Sequence, residues 1–141
     1  MRVSSRADYG VRALFELAQR IGQGPVQSKE IAARQEIPEA YLHQVLGALN
    51  RAGLIKSTRG PLGGHELLHD PSDVTVYTIL VALDGIDQRT HPHPDGMGAT
   101  DVVHNLWHDL QAQSELFLRS VTLQTLLDRE LHRLNSAHYS I

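Results

Sequence analysis

The chain of 141 residues contains no cysteine. That excludes disulfides, thiolate-bound zinc, cysteine-ligated clusters and thiol redox sensing. Two methionines leave little for a sulfur-based sensor. Aromatic residues make up only 5% of the chain, so its core must come from Leu, Val, Ile and Ala; a hydrophobic content of 41% suffices for one compact unit. No apolar run approaches the ~20 residues needed to span a bilayer. Arg2, Arg6 and Asp8 interrupt any leader-like apolar stretch, so the expected setting is cytoplasmic. Positive charge is scarce in the second half. Residues 66–141 carry four Lys and Arg against eleven Asp and Glu, whereas residues 1–65 carry nine against five. The net charge of −3 therefore averages a basic half that suits phosphate and an acidic half that does not. Chance segregation in a short chain is the plain alternative.

The stretch from Ser28 to His65 organises the rest. A helix from Ser28 through Arg34, a tight turn and a second helix opening at Pro38 make a helix-turn-helix. Ser28 is the expected N-cap of the first helix, with Ile31 and Ala32 inward. Leu42, Val45, Leu46 and Leu49 make one apolar face of the second, and Gly53 ends it. Its other face presents His43, Gln44, Gly47, Ala48 and Arg51. Gln reads adenine edges, and Arg reads guanine or holds phosphate. An ordinary solvated helix face has the same composition. A strand over Leu54–Ser57, the basic tip Arg59-Gly60, the turn Pro61-Leu62-Gly63-Gly64 and a return strand over Glu66–Leu68 then predict a hairpin wing. An arginine at such a tip can enter a minor groove.

The spacing predicts an amphipathic helix over residues 7–21, capped by Ser4 or Ser5, with Val11, Leu14, Phe15, Ala18 and Ile21 inward. Asp8 in its first turn suits the helix dipole. Thr75 caps a helix carrying Val76, Ile79, Leu80 and Leu83, and Gly85 ends it. Residues 86–99, with two prolines and two glycines, read as a loop. Thr100 is the expected cap of a long helix to about Ser120. Its stripe of Val103, Leu106, Trp107, Leu110, Ser114, Phe117 and Val121 is more apolar surface than a small domain needs. A last helix from Thr122 to about Leu134 turns Leu123, Leu126, Leu127, Leu131 and Leu134 inward.

Seven of the nine histidines follow residue 68. His91 and His93 flank a proline in the loop. Asp101, His104 and His108 fall on one helix face, and imidazoles one turn apart can share a metal. These five residues are candidate ligands for a metal ion or, through His and Asp, for an iron–sulfur cluster. A solvated helix face beside a His-rich loop is the competing reading, and protonation of these histidines near neutral pH is a third.

The chain resembles the Rrf2 family of winged-helix transcription regulators (IscR, NsrR and CymR types). The resemblance rests on MRVSSRADYGVRALFELA, on the S-K-E-I-A helix, on VTVYTILVALDG and SVTLQTLL, and most specifically on IPEAYLHQVLGALNRAGLIKSTRGPLGGHELL. It covers nearly the whole chain except the loop near residues 86–100, where cluster-binding members keep three cysteines and this chain has none. It implies a mainly α fold with a small β-hairpin wing, that is, a winged helix-turn-helix plus a long dimerisation helix. The expected division is a DNA-binding domain over 1–72 and a helical dimerisation region over 73–141, with a sensor loop at 86–99. It implies a homodimer on double-stranded DNA, with Val103, Leu106, Trp107, Leu110 and Phe117 in the seam. The DNA-facing set is then Arg2, Ser4, Ser28, Lys29, Tyr41, His43, Gln44, Arg51, Ser57, Arg59, Gly60, Gly64 and His65. At the position of His65 the family more often has Tyr. In some cluster-binding relatives an acid at the position of Asp8 is a ligand, a role with little support in a chain without cysteine.

The leading function is a homodimeric regulator, a repressor of a pseudo-palindromic operator. A winged helix that binds protein instead of DNA would show no salt-dependent affinity for duplexes. A His/Asp metalloenzyme would need a nucleophile beside a base, and none is visible. The effector, a small molecule or a partner protein, has no signature here.

Overall fold

A computed structural model describes residues 3–85 and 101–139. Arg2, His91, His93, the expected sensor loop and Thr100 lie outside the described residues. Among the described residues there are six α-helices and one two-stranded antiparallel sheet: α1 (Ser5–Gln19), α2 (Ser28–Gln35), α3 (Glu39–Arg51), β1 (Ile55–Thr58), β2 (Gly64–Leu67), α4 (Val76–Asp84), α5 (Val102–Ser120) and α6 (Leu123–Tyr139). No described helix is long and apolar enough to cross a membrane.

Local chemistry sets most boundaries. Ser4 caps α1 by accepting the Ala7 N–H, and Asp8 lies in the first turn, where an acid complements the dipole. The cap of α2 is Gln27 rather than Ser28, and it makes no side-chain capping bond. Glu36 then turns the chain in the left-handed region (φ 54°), which a side chain adopts at a cost of roughly 1–2 kcal/mol. At the end of α3, Gly53 sits at φ 75° while its N–H donates to Asn50 and that of Leu54 donates to Leu49. This is a Schellman closure, one residue past the helix. Asp101, not Thr100, caps α5 within the described residues, accepting from Val103 N–H. Thr122 and Thr125 cap each other reciprocally at the start of α6.

One core joins α1, α2, α3, β1, α4 and the start of α6 through Leu14, Leu17, Ile31, Leu42, Leu49, Ile55, Ile79 and Leu123. Full burial of each large aliphatic chain contributes about 1.5–3 kcal/mol. Gly10 lets α1 meet α4 closely, since a Cβ there would lie 2.0 Å from a Leu83 methyl. The Ser4 hydroxyl donates to Asp84, tying the same two helices at the surface. The segment before α4 pairs with the α5–α6 corner through Val76 N–H to Val121 O and Leu123 N–H to Val74 O. Three expected inward positions are corrected. Ile21 falls beyond the end of α1 and is exposed, and Leu131 and Leu134 are exposed along the outer part of α6, where no described residue covers them.

Candidate nucleic-acid interface

The reader helix α3 buries Leu42, Val45, Leu46 and Leu49 and leaves His43, Gln44 and Arg51 exposed. Ala48 belongs to the buried side, at 5% exposure, which corrects its expected place on the open face. The Arg51 guanidinium lies over Gly47, against the space a side chain there would occupy. Tyr41 is half-buried and packs edge-on against Tyr9, ring centroids 5.2 Å apart, so α1 holds the first turn of α3. Glu39 in that first turn complements the helix dipole.

The wing forms with the register Ile55 to Leu67, Lys56 to Glu66, Ser57 to His65 and Thr58 to Gly64. Ile55 is buried, while Lys56, Ser57, Thr58, Arg59 and Gly60 are exposed. The return strand is anchored on a third segment. His65 N–H donates to Val26 O, and Val26 N–H donates to His65 O. Gly64 (φ 151°) permits that contact, because a Cβ there would meet the Val26 backbone at 2.5 Å. Gln27 Nε2 donates to Pro61 O across the tip. The wing is thus braced from the base of α2, next to Ser28 and the exposed Lys29.

Electrostatics sorts the cations of the basic half. Arg12 pairs with Asp8. Arg20 and Arg34 turn to Glu16, a carboxylate buried to 2% exposure that also accepts from Gln35 Nε2. Arg20 also bonds Glu30, and that hydrogen bond raises its pKa first, ahead of the charges of Glu30 and Glu16. This hub locks α2 onto α1. Among the described residues, Lys29, Arg51, Lys56 and Arg59 have no carboxylate within ion-pair distance. Exposed cations without a carboxylate partner are the electrostatic form that phosphate requires.

The described members of the expected DNA-facing set fall into two groups. His43, Gln44, Arg51, Ser57, Arg59 and His65 stand on α3 and the wing, with Lys29 at the start of α2. Ser4 differs: its hydroxyl caps α1 and bonds Asp84. Gly60 and Gly64 shape the hairpin. Burial first, and then the charge of His43, holds the His65 imidazole below its ordinary value. Sequence reasoning missed Glu16, Asn50, Gln27 and Val26. The Glu16–Arg20 spacing of one turn was a usable signal. Gln27 and Val26 work through partners distant in the chain, and Asn50 through the strand that follows its helix.

On α5, His104 is buried and its Nε2 lies 2.9 Å from His108 Nε2. Asp101 is engaged at the helix cap instead. Among the described residues no three metal-capable side chains converge. Two imidazoles and no thiolate are not a donor set for a cysteine-type cluster. The same helix leaves Val103, Leu106, Trp107, Leu110 and Phe117 exposed.

Comparison with known proteins agrees with this geometry. Residues 3–129 match the family described as Rrf2, iron-dependent transcriptional regulator. The chain is similar to the HTH-type transcriptional regulator IscR of Photobacterium profundum, with 37% identity over 130 residues, 90% of this chain and 76% of that protein. It is similar in structure to CymR, the global cysteine regulator of B. subtilis, with TM-score 0.82 and 32% identity over 92% of this chain and 98% of that one. It is also similar to IscR of T. potens, with TM-score 0.76 and 35% identity over 92% of this chain and 88% of that one.

Proposed function

The chain belongs to the Rrf2 family of DNA-binding transcriptional regulators, and on that footing we propose that it acts as a homodimeric repressor of a pseudo-palindromic operator. The family is one of regulators, not of enzymes. The observation that carries the finer reading is the apolar stripe of α5, exposed on a helix of which, among the described residues, His104 and Leu118 are buried. A second copy is the occupant that an isologous seam of this kind asks for. Two readers about one DNA turn apart then address two half-sites, and the second contact becomes intramolecular. In this reading Gln44 and His43 face base edges and Arg59 enters the minor groove. Lys29, Tyr41 and Arg51 supply phosphate or base contacts, with Ser57 beside them on the wing and Ser28 at the α2 N-terminus. Occlusion of a promoter follows from occupancy, in the cytoplasm where the regulator meets its DNA.

The test combines sedimentation with duplex binding over a salt series. A dimer whose affinity for an inverted repeat falls steeply with salt supports the reading; a monomer, or salt-independent binding, sinks it. Transcription of the bound promoter in vitro then decides direction, because an increase in transcript contradicts repression.

The 2.9 Å contact between His104 and His108 supports a second proposal, a metal ion held by these imidazoles with further ligands from His91 and His93. Elemental analysis of untagged protein purified without oxygen tests it. Near-stoichiometric metal that disappears on replacing both helix histidines is the expected result; metal-free protein that still binds DNA refutes it.

A further inference from the structure

Three side chains from three elements form a hydrogen-bonded chain between the reader helix and the wing. Asn50 Nδ2, on α3, donates to Ser57 Oγ on β1 at 3.0 Å. Ser57 Oγ lies 2.8 Å from His65 Nδ1 on β2. A serine hydroxyl has one proton to give. Asn50 occupies one lone pair of that oxygen and leaves the other lone pair and the proton open. When the proton goes to the imidazole, Nδ1 is unprotonated and accepts it. The ring then carries its hydrogen on Nε2.

His65 also lies near the open face of α3. His43 and Asn50 stand seven residues apart on that helix, two turns along one side. His65 is joined through Ser57 to the later of them and opposed by the charge of the earlier.

Deepening the DNA-binding reading, we propose that Asn50 and Ser57 are positioning residues that set His65 as an Nε2–H donor toward an acceptor on DNA, at the seam between reader helix and wing. The relay ties wing placement to reader-helix placement, so that one donor reports on both. Ser57, whose proton goes to His65, acts through that ring and not by donating to DNA itself. The lowered proton affinity of the half-buried ring agrees with a neutral imidazole of fixed tautomer. The acceptor is either a base edge or a phosphate oxygen, and the two give different signatures.

The experiment uses the full chain and two isosteres. In His65→Gln the side-chain amide reaches the place of Nε2 and keeps an outward donor. In His65→Asn the amide reaches only the place of Nδ1, satisfying Ser57 while losing the donor. Each protein is challenged with a library of randomised duplexes, and affinities are measured on the duplexes that wild type enriches. His65→Gln should stay near wild type, and His65→Asn should lose about tenfold, the scale of one groove contact. A loss confined to one base position identifies a base edge; a uniform loss identifies phosphate. Ser57→Ala should follow His65→Asn, and Ser57→Thr should restore binding.

Nitrogen NMR of the DNA-free protein reads the tautomer directly, with Nε2–H dominant in wild type and mixed forms in Asn50→Ala and Ser57→Ala. A wild-type ring protonated at Nδ1, or equal affinities of the His65→Asn and His65→Gln proteins, overturns the relay while leaving DNA binding intact. If wild type enriches no duplex at all, the DNA-binding reading falls and takes the proposal with it.

Discussion

The helices α3 and α5 are written in the same amphipathic code and meet opposite fates. On α3 the apolar face is closed by its own chain, with Leu42, Val45 and Leu49 buried. On α5, helix residues as apolar as Leu106, Trp107, Leu110 and Phe117 stay exposed, while Leu118 in the last turn is buried. There Leu118 packs with Ala7 and Leu80, and Arg119 lies 3.9 Å above the Tyr77 ring. Hydrophobic period reports that a face will be covered, not by what. The first helix is stabilised within the monomer; in the proposed dimer the second is stabilised by association and by mass action.

The sharpest way to break that contrast is to charge the α5 stripe. Leu106→Glu with Leu110→Glu would place carboxylates in the seam, each carrying a desolvation penalty of several kcal/mol. Sedimentation should then show monomers, and affinity for an inverted repeat should fall by orders of magnitude, while circular dichroism stays helical. A dimer that survives both charges would remove α5 from the interface.

Next in size is the matched pair of truncations. Leu49→Ala empties a fully buried site and should cost about 2–5 kcal/mol in chemical denaturation, at every protein concentration. Phe117→Ala, on an exposed position, should leave monomer stability within roughly 0.5 kcal/mol and act through a concentration-dependent midpoint. Equal, concentration-independent losses in the two variants would erase the distinction.

What the sequence discloses divides along the same line. Caps, periodic faces and the hairpin follow from neighbours in the chain, which is why Ser4, Thr75, Gly53, the α3 face and the wing are all legible in order. Ala48 sits at the edge of the α3 face, where periodicity alone does not decide, and the structure buries it. Glu36 takes a left-handed turn that a glycine would have advertised. The Arg34 and Gln35 arms of the Glu16 hub, the brace from Val26 to His65 and the fit of Gly10 against Leu83 join residues far apart in sequence, and the relay from Asn50 crosses from helix to hairpin. No local pattern encodes such pairs; they exist only once helices have been packed. The α6 leucines teach the reverse lesson, since Leu131 and Leu134 continue a core-like period past the end of the core.

Within the reader, Arg59 offers a smaller and more local test. It stands exposed at the wing tip with no acid in ion-pair range among the described residues. Arg59→Ala should cost about 1–3 kcal/mol of DNA affinity and relax sequence preference if the guanidinium reads a groove. A uniform loss with a shallower salt dependence would make it a phosphate contact, and an unchanged affinity would remove it from the interface. Stability should not move in either case, which separates this residue from the Leu49 class.

The smallest expected effect is a pH dependence carried by His65. Burial, and secondarily the charge of His43, lowers its pKa below the ordinary 6.5 in the folded protein. Just below that value the unfolded chain binds a proton that the native ring refuses, so stability rises with pH. The contribution is fully present above 6.5 and is lost as pH falls through the lowered native value. Denaturation midpoints measured across this window should therefore drop more on acidification in wild type than in His65→Gln, which cannot titrate. His43→Gln should recover a lesser part of the difference, because it removes the second cause and leaves burial. The histidines other than His43 are common to wild type and His65→Gln and cancel in that comparison. Parallel midpoint curves for these two proteins would mean that the ring between wing and reader helix is no more shielded than a free imidazole, and the seam that joins the two parts of the reader would then be open to water.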